Sequence, residues 1–249
     1  MESVVHYIFV SPHLDDAILS CGGIIHSLNS SGHIIEIWTI FAGLPENKMF
    51  TDFAKSLHHR WNLTNQNPIK YRREEDKNAC KILGAKYKYF NFFDCIYRLK
   101  EDGLPLVTRE EDLFQDVTGN QLLLVKNIAN SIYKKLPGNA ILISPLAIGN
   151  HVDHQIVKMA LMSKSHSKLR FYADYPYVVK EASTIDPTIK GDLQVEELFL
   201  MNIDLEKWKL AVSAYQTQIS TFWNGNHEMF QKIDDYASSG GGKVLWKIP

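Results

Sequence analysis

The sequence predicts an α/β fold, a single Rossmann-like domain with a largely parallel sheet flanked by helices. Short apolar, β-branched or aromatic runs recur along the chain, and helix-like segments fill several of the gaps between them. Two of the runs end directly in clusters of imidazole and carboxylate side chains, the place where open parallel sheets bind their ligands.

The first run covers residues 4–10 and is followed by Ser11-Pro12-His13-Leu14-Asp15-Asp16. One imidazole and two carboxylates at the end of a buried strand are costly unless something binds them. Residues 17–28 are apolar at Ile18, Leu19, Gly22, Ile25 and Leu28, the pattern of a helix packed on a sheet, with Asp15 or Asp16 placed to cap its first turn. A second strand is expected over 34–41. Residues 43–68, rich in Asn, His and aromatics, are long for a connection, so short helices over the site are expected there. Within that segment His58-His59 reads as surface or lid, because adjacent rings do not easily aim at one ion.

Residues 71–83, closed by Gly84, form a charged helix with a glycine stop, and 87–93 a third strand. A longer helix is expected within 113–136, ended by Pro137-Gly138. The next strand, 140–144, leads to the second cluster, Asn150-His151-Val152-Asp153-His154, and a helix over 153–163. Strands at 169–172 and 197–203, a helix over 205–218, and a last strand or tail at 243–248 complete the reading.

Composition narrows the function. The 249 residues are 45% hydrophobic, which suits one domain spanning 1–249. With 27 basic against 28 acidic residues the net charge is -1, so no global field draws the chain to nucleic acid or an anionic membrane. Cys21, Cys80 and Cys95 are an odd number in a long chain and fit reduced thiols packed as small apolar residues. No apolar run suits a bilayer span and the N-terminus reads as a strand, so a soluble, cytoplasmic protein without a membrane anchor is expected.

His13 and Asp16 lie three positions apart and can face one point if a helix starts there, whereas Asp15 is turned by about 100 degrees. His151 and His154 share the offset, with Asp153 turned aside. An imidazole and carboxylate set suits a divalent metal. Four inward groups would close a structural site and three would leave a position for water, and spacing alone allows both.

Pro12-His13-Leu14-Asp15-Asp16 with Cys21-Gly22-Gly23, and His151-Val152-Asp153-His154 much later, resemble the LmbE-like (PIG-L) family of metal-dependent N-acetylglucosaminyl deacetylases. Tyr71-Arg72-Arg73-Glu74-Glu75 through Leu83-Gly84, and Tyr172-Ala173-Asp174-Tyr175-Pro176-Tyr177, are similar to further segments of it. The resemblance implies a hydrolase that removes the N-acetyl group from an N-acetylglucosamine-containing small molecule or glycoconjugate. It implies zinc, or iron or another divalent ion, on His13, Asp16 and His154, with Asp15 as general base. His151 would be the electrostatic partner or general acid, oriented and charge-stabilised by Asp153. Arg72 would reach the sugar, with Asp94 a weaker candidate. Well-known members carry a tyrosine where this chain has Gly149, so Tyr175 or Tyr177 is expected to substitute, or the metal and His151 bind the oxyanion alone. Trp61, Tyr97, Tyr175, Tyr177 and Trp223 suit either sugar stacking or the core.

Two rival readings remain at this level. One keeps the metal chemistry on a different amide or ester. The other is a sugar-nucleotide or metabolite binding module, against which the complete catalytic set speaks, as does the lack of G-x-G-x-x-G after the first strand. The partner expected is an acetylated amino sugar, and the oligomeric state stays open.

Overall fold

Ile8, Phe9 and Val10 are fully buried at the centre of a sheet covered on both faces, which is why their strand is continuously apolar and does not alternate. The computed structural model describes residues 3–45, 50–64, 67–164, 168–180 and 194–247. Strand β1 (His6–Ser11) pairs in parallel with β2 (Ile34–Thr39) on one side and β4 (Ile141–Pro145) on the other. β3 (Lys86–Tyr89) joins β2, and β5 (Leu169–Tyr172) joins β4, again in parallel. β6 (Gln194–Glu197) pairs with β7 (Val244–Lys247), which runs antiparallel to β5, giving the order β3-β2-β1-β4-β5-β7-β6. The chain thus builds outward from β1 and returns to β4 on its other side. A crevice opens at such a reversal, at the carboxyl ends of the two strands, and both polar clusters lie there.

Helix α1 (Asp16–Ser30) follows β1. α2 (Asp52–Arg60) and α3 (Pro68–Leu83) precede β3, and α4 (Asn120–Tyr133) precedes β4. α5 (Val152–Met162) and the single turn α6 (Tyr177–Lys180) flank β5. α7 (Asn202–Val212), α8 (Gln216–Phe222) and α9 (Asn226–Ser238) lie between β6 and β7. One core joins α1, α3, α7 and α9 to the sheet through Ile18, Ile37, Trp208 and Ile233; the other joins α4 and α5 through Ile8, Trp38, Ile128 and Ile156. Gly22 is required by close approach, since a Cβ there would lie 2.1 Å from Cδ1 of Trp208.

The architecture agrees with the sequence reading, and the differences are local. The helix expected within 113–136 is α4, which begins at Asn120 after Gly119 and is preceded by a 3-10 turn at Glu110–Phe114. The helix expected over 205–218 breaks after Val212, where Tyr215 turns inward to donate to Asp76. The strand expected over 197–203 ends at Glu197, and Asn202 already opens α7. In the irregular segment α2 forms as expected, while residues 46–49 and 65–66 lie outside the described residues, as does Ile248 of the last strand. The three cysteines are free and buried. Among the described residues no helix is long and apolar enough to cross a membrane.

Candidate metal centre

The turn after β1 frees its carboxylates from capping. The Ser11 hydroxyl accepts from Ala17 N at 3.0 Å, and Asp15, at the N-cap position of α1, makes no side-chain cap bond. Asp16 instead folds back, its Oδ2 accepting from His13 N at 2.7 Å and lying 3.1 Å from His13 Nδ1. From the start of α5, His154 Nε2 comes within 3.3 Å of the same oxygen.

The other nitrogen of each ring is held by a carboxylate. His13 Nε2 lies 3.0 Å from Asp153 Oδ2, and His154 Nδ1 lies 2.6 Å from Asp174 Oδ1. His13, Asp16 and His154 therefore each offer one donor atom, all within 4.8 Å of one another. Imidazoles locked at one nitrogen by a carboxylate and presenting the other to a shared point fit a divalent cation, because the outer carboxylate fixes ring orientation and raises ligand basicity.

The electrostatics favour a cation at the same point. Burial acts to raise Asp16, but His154 and His13 outweigh it and hold its carboxyl well below the usual range. Burial likewise opposes charge on the rings, yet Asp16 pushes His154 up to about 10 and, with Asp94 and Asp153, raises His13. A field that holds protons on these rings also attracts a dication, with which those protons compete. Asp15 stands apart. Burial pushes its carboxyl up to about 6 against Arg72, whose Nη2 donates to Asp15 Oδ2 at 3.3 Å.

His151 caps α5, with Nδ1 accepting from Asp153 N at 3.3 Å, so Nε2 carries the proton of the neutral ring. Burial, then the charges of His13 and His154, push its pKa well down. The expected support from Asp153 is corrected in one respect. The Asp153 carboxylate does not orient His151 but bonds to His13, to Cys95 N and to Arg98, because α5 turns it toward the strand ends. Its charge still acts on His151 in the direction expected.

These groups open into a cavity of about 310 Å³, lined by His13, Asp15, Asp16, Arg72, Asp94, His151 and Tyr177 among others. Asp94 serves twice: its Oδ1 caps the 3-10 turn Cys95–Tyr97 by accepting from Ile96 N, and its Oδ2 lies 3.8 Å from His13 Nε2. A larger cavity of about 470 Å³ adjoins this one at Ile96, but it holds none of the expected ligands or catalytic groups, so the chemistry belongs to the smaller.

The structure separates the two tyrosines. Tyr177 lies beside the cluster, its ring centroid 5.9 Å from that of His154, whereas Tyr175 is buried outside the cavity and stacks on Tyr236 at 4.5 Å. Tyr175 therefore takes the core role of the two it suited and does not bind substrate, which leaves Tyr177 as the tyrosine at the cavity. Trp223 joins its stack, Trp61 lines the cavity under Arg72, and His58 is buried against the Tyr97 hydroxyl at 2.7 Å. Sequence reasoning missed Asp174 and Arg98. Asp174 had a signal, since it directly follows a strand on the same edge as the two clusters; Arg98 had none.

Comparison with known proteins places the chain. It is 30% identical over 193 residues to 2'-N-acetylparomamine deacetylase of Niallia circulans, covering 69% of this chain and 67% of that protein. It is 26% identical over 190 residues to the enzyme of the same name from Streptomyces fradiae, covering 74% and 62%. The alignments thus span roughly two thirds of these relatives. The solved zinc-inhibited form of teicoplanin deacetylase superposes with a TM-score of 0.83 at 25% identity over 97% of both chains. N,N'-diacetylchitobiose deacetylase from Pyrococcus horikoshii shares the fold, with a TM-score of 0.57 at 13% identity over 98% of this chain and 83% of that one. The PIG-L family model, described as GlcNAc-PI de-N-acetylase, matches residues 8–164, and this chain belongs to that family.

Proposed function

We propose that this protein is a metal-dependent deacetylase that hydrolyses the N-acetyl group of an amino-sugar-containing small molecule or glycoconjugate, acting as one domain over residues 1–249 with zinc as its ion. The observation that carries the reading is the convergence of His13, Asp16 and His154 beside a carboxylate, Asp15, outside that trio. The deacetylase relatives support the reaction class. The choice of ion rests on the donor set, two imidazoles and a carboxylate, which suits zinc. Three free buried cysteines suit a reducing cytoplasm.

His13, Asp16 and His154 would hold the ion, which when bound supplies Lewis-acid polarisation and a lowered pKa for water. Asp15 takes the proton of the attacking water, and the guanidinium of Arg72 holds that carboxylate in place. His151 has its Nε2–H free to hydrogen-bond the oxygen on which negative charge develops, and the proton taken up by Asp15 passes to the departing amine. Burial and the neighbouring Asp16 and Asp15 charges keep the Tyr177 hydroxyl protonated, so it is a second donor on that wall. Asp153 holds His13, and Arg72 and Asp94 border the space for the sugar.

Acetate release from a panel of N-acetylated sugars, measured against other amides and esters, tests the reading. Metal-dependent acetate release confined to the sugars is expected; cleavage of the other substrates alone would replace it by the wider amidase or esterase reading.

A further inference from the structure

One wall of the catalytic cavity comes from α8, whose Gln218, Thr221 and Phe222 line it. Gln218 is only 4% exposed, and its Nε2 donates to Thr217 Oγ1 at 3.0 Å. Thr217 Oγ1 lies 2.5 Å from Glu75 Oε2, and Thr217 N donates to Glu75 Oε1 at 2.9 Å. Thr217 presents two donors, its N–H and its O–H, to the two oxygens of Glu75, the arrangement a carboxylate accepts; burial pushes the Glu75 carboxyl up, and these contacts with the charge of Arg72 act against that rise.

A carboxylate only accepts. The hydroxyl proton of Thr217 therefore goes to Glu75, leaving Thr217 Oγ1 with lone pairs alone for Gln218. Gln218 must then turn its NH₂ group to Thr217, and its carboxamide oxygen is left for the cavity with no donor among the described residues. Thr221, one turn along the same helix, adds a buried hydroxyl oxygen without a partner, and Trp61 Nε1 and Arg72 Nε are further unpartnered buried atoms of cavity-lining residues. A wall with polar groups left unmatched is built for a polyhydroxylated ligand.

We propose that Gln218 determines specificity by accepting, at Oε1, a hydrogen bond from one hydroxyl of the sugar that bears the N-acetyl group, and that Glu75 is the positioning residue that sets the polarity of that carboxamide. The proposal rests on the deacetylase reading above. Glu75 acts on that carboxamide through Thr217.

The test uses the metal-loaded protein with methyl N-acetyl-β-glucosaminide and its monodeoxy and monofluoro analogues at each free hydroxyl. Acetate release and metal content are both measured. For wild type, one position is expected to lose about 10- to 100-fold in kcat/KM as either analogue, because neither can donate to that carboxamide oxygen. In Gln218→Leu that position-specific loss disappears. In Glu75→Gln the new NH₂ group can donate to Thr217, which frees the Thr217 hydroxyl to donate to Gln218 and turns the Gln218 NH₂ to the cavity. The fluoro analogue, which accepts but does not donate, then becomes the better of the two at that position, with metal content unchanged. Equal losses at all positions, or position-specific selectivity that survives Gln218→Leu, would overturn the assignment while leaving deacetylation intact. Absence of acetate from every sugar overturns the deacetylase reading and this inference with it.

Discussion

The ring of Tyr177 lies so close to Gly149 that a Cβ at position 149 would come within 2.9 Å of Tyr177 Cδ1. The absence of a side chain at 149 and the presence of this ring beside the cluster are therefore one feature of the site. Gly149 also has φ +86, a conformation that side-chain-bearing residues adopt at a cost of roughly 1 kcal/mol. Gly149→Ala is expected to lower stability by about 1–2 kcal/mol and to displace Tyr177, reducing kcat/KM. Tyr177→Ala in the same chain should recover the steric part, so the two changes should be non-additive in thermal unfolding. Strict additivity would show that the ring does not depend on the missing side chain.

Asp15→Asn should retain fold and metal while deacetylation falls by about 100- to 10,000-fold, as expected for loss of a general base. Metal content and acetate release measured on one preparation check this. Near-normal turnover would remove Asp15 from the role of base.

Asp174 holds His154 at Nδ1 and also receives Ile148 N at 2.9 Å. Asp174→Asn is expected to weaken metal affinity by about 10- to 100-fold without abolishing binding, the effect of losing a carboxylate behind a ligating imidazole. Calorimetric titration of the metal-free variant with zinc reads this directly; unchanged affinity would remove His154 from the ligand set.

Removal of the metal by a chelator should abolish acetate release and lower the melting temperature, because an ion that binds only the folded chain stabilises it by mass action. Both should return on adding a divalent ion. Full activity after verified metal loss would refute the metal-dependent mechanism.

Away from the cluster, burial raises Asp76 above the usual carboxylate range, even though the Tyr215 and Tyr89 hydroxyls donate to it at 2.7 and 2.9 Å. The folded chain therefore holds this proton more tightly than the unfolded chain. The stability linked to it is fully present below the ordinary value of 3.8 and is lost as pH rises through the raised folded value. The unfolding free energy of wild type minus that of Asp76→Asn should fall as denaturant titrations move from pH 4 to about pH 7. A rise over that interval would reverse the assignment.

The parallel strands and the two polar clusters were legible in the sequence because they depend on local pattern. A run such as Ile8-Phe9-Val10 has to be covered on both faces, and an imidazole followed three residues later by a carboxylate can face one point wherever a helix starts. The segment 205–218 misled for the complementary reason. Its apolar spacing continues through residue 215, but the helix stops after Val212 because Tyr215 finds Asp76 on α3.

From the sequence alone came the sheet, the family resemblance and the identity of the groups gathered at the strand ends, since these follow from residue type and spacing along one stretch of chain. Which side chain faces which was decided only by the tertiary structure. Asp153 serves His13 and Arg98 and leaves His151 to its backbone N–H, Tyr177 enters the cavity while Tyr175 joins the core, and Gln218 arrives from a helix far along the chain. Hydrogen-bond polarity and burial are set by neighbours that meet only when the sheet assembles, and no local periodicity encodes them.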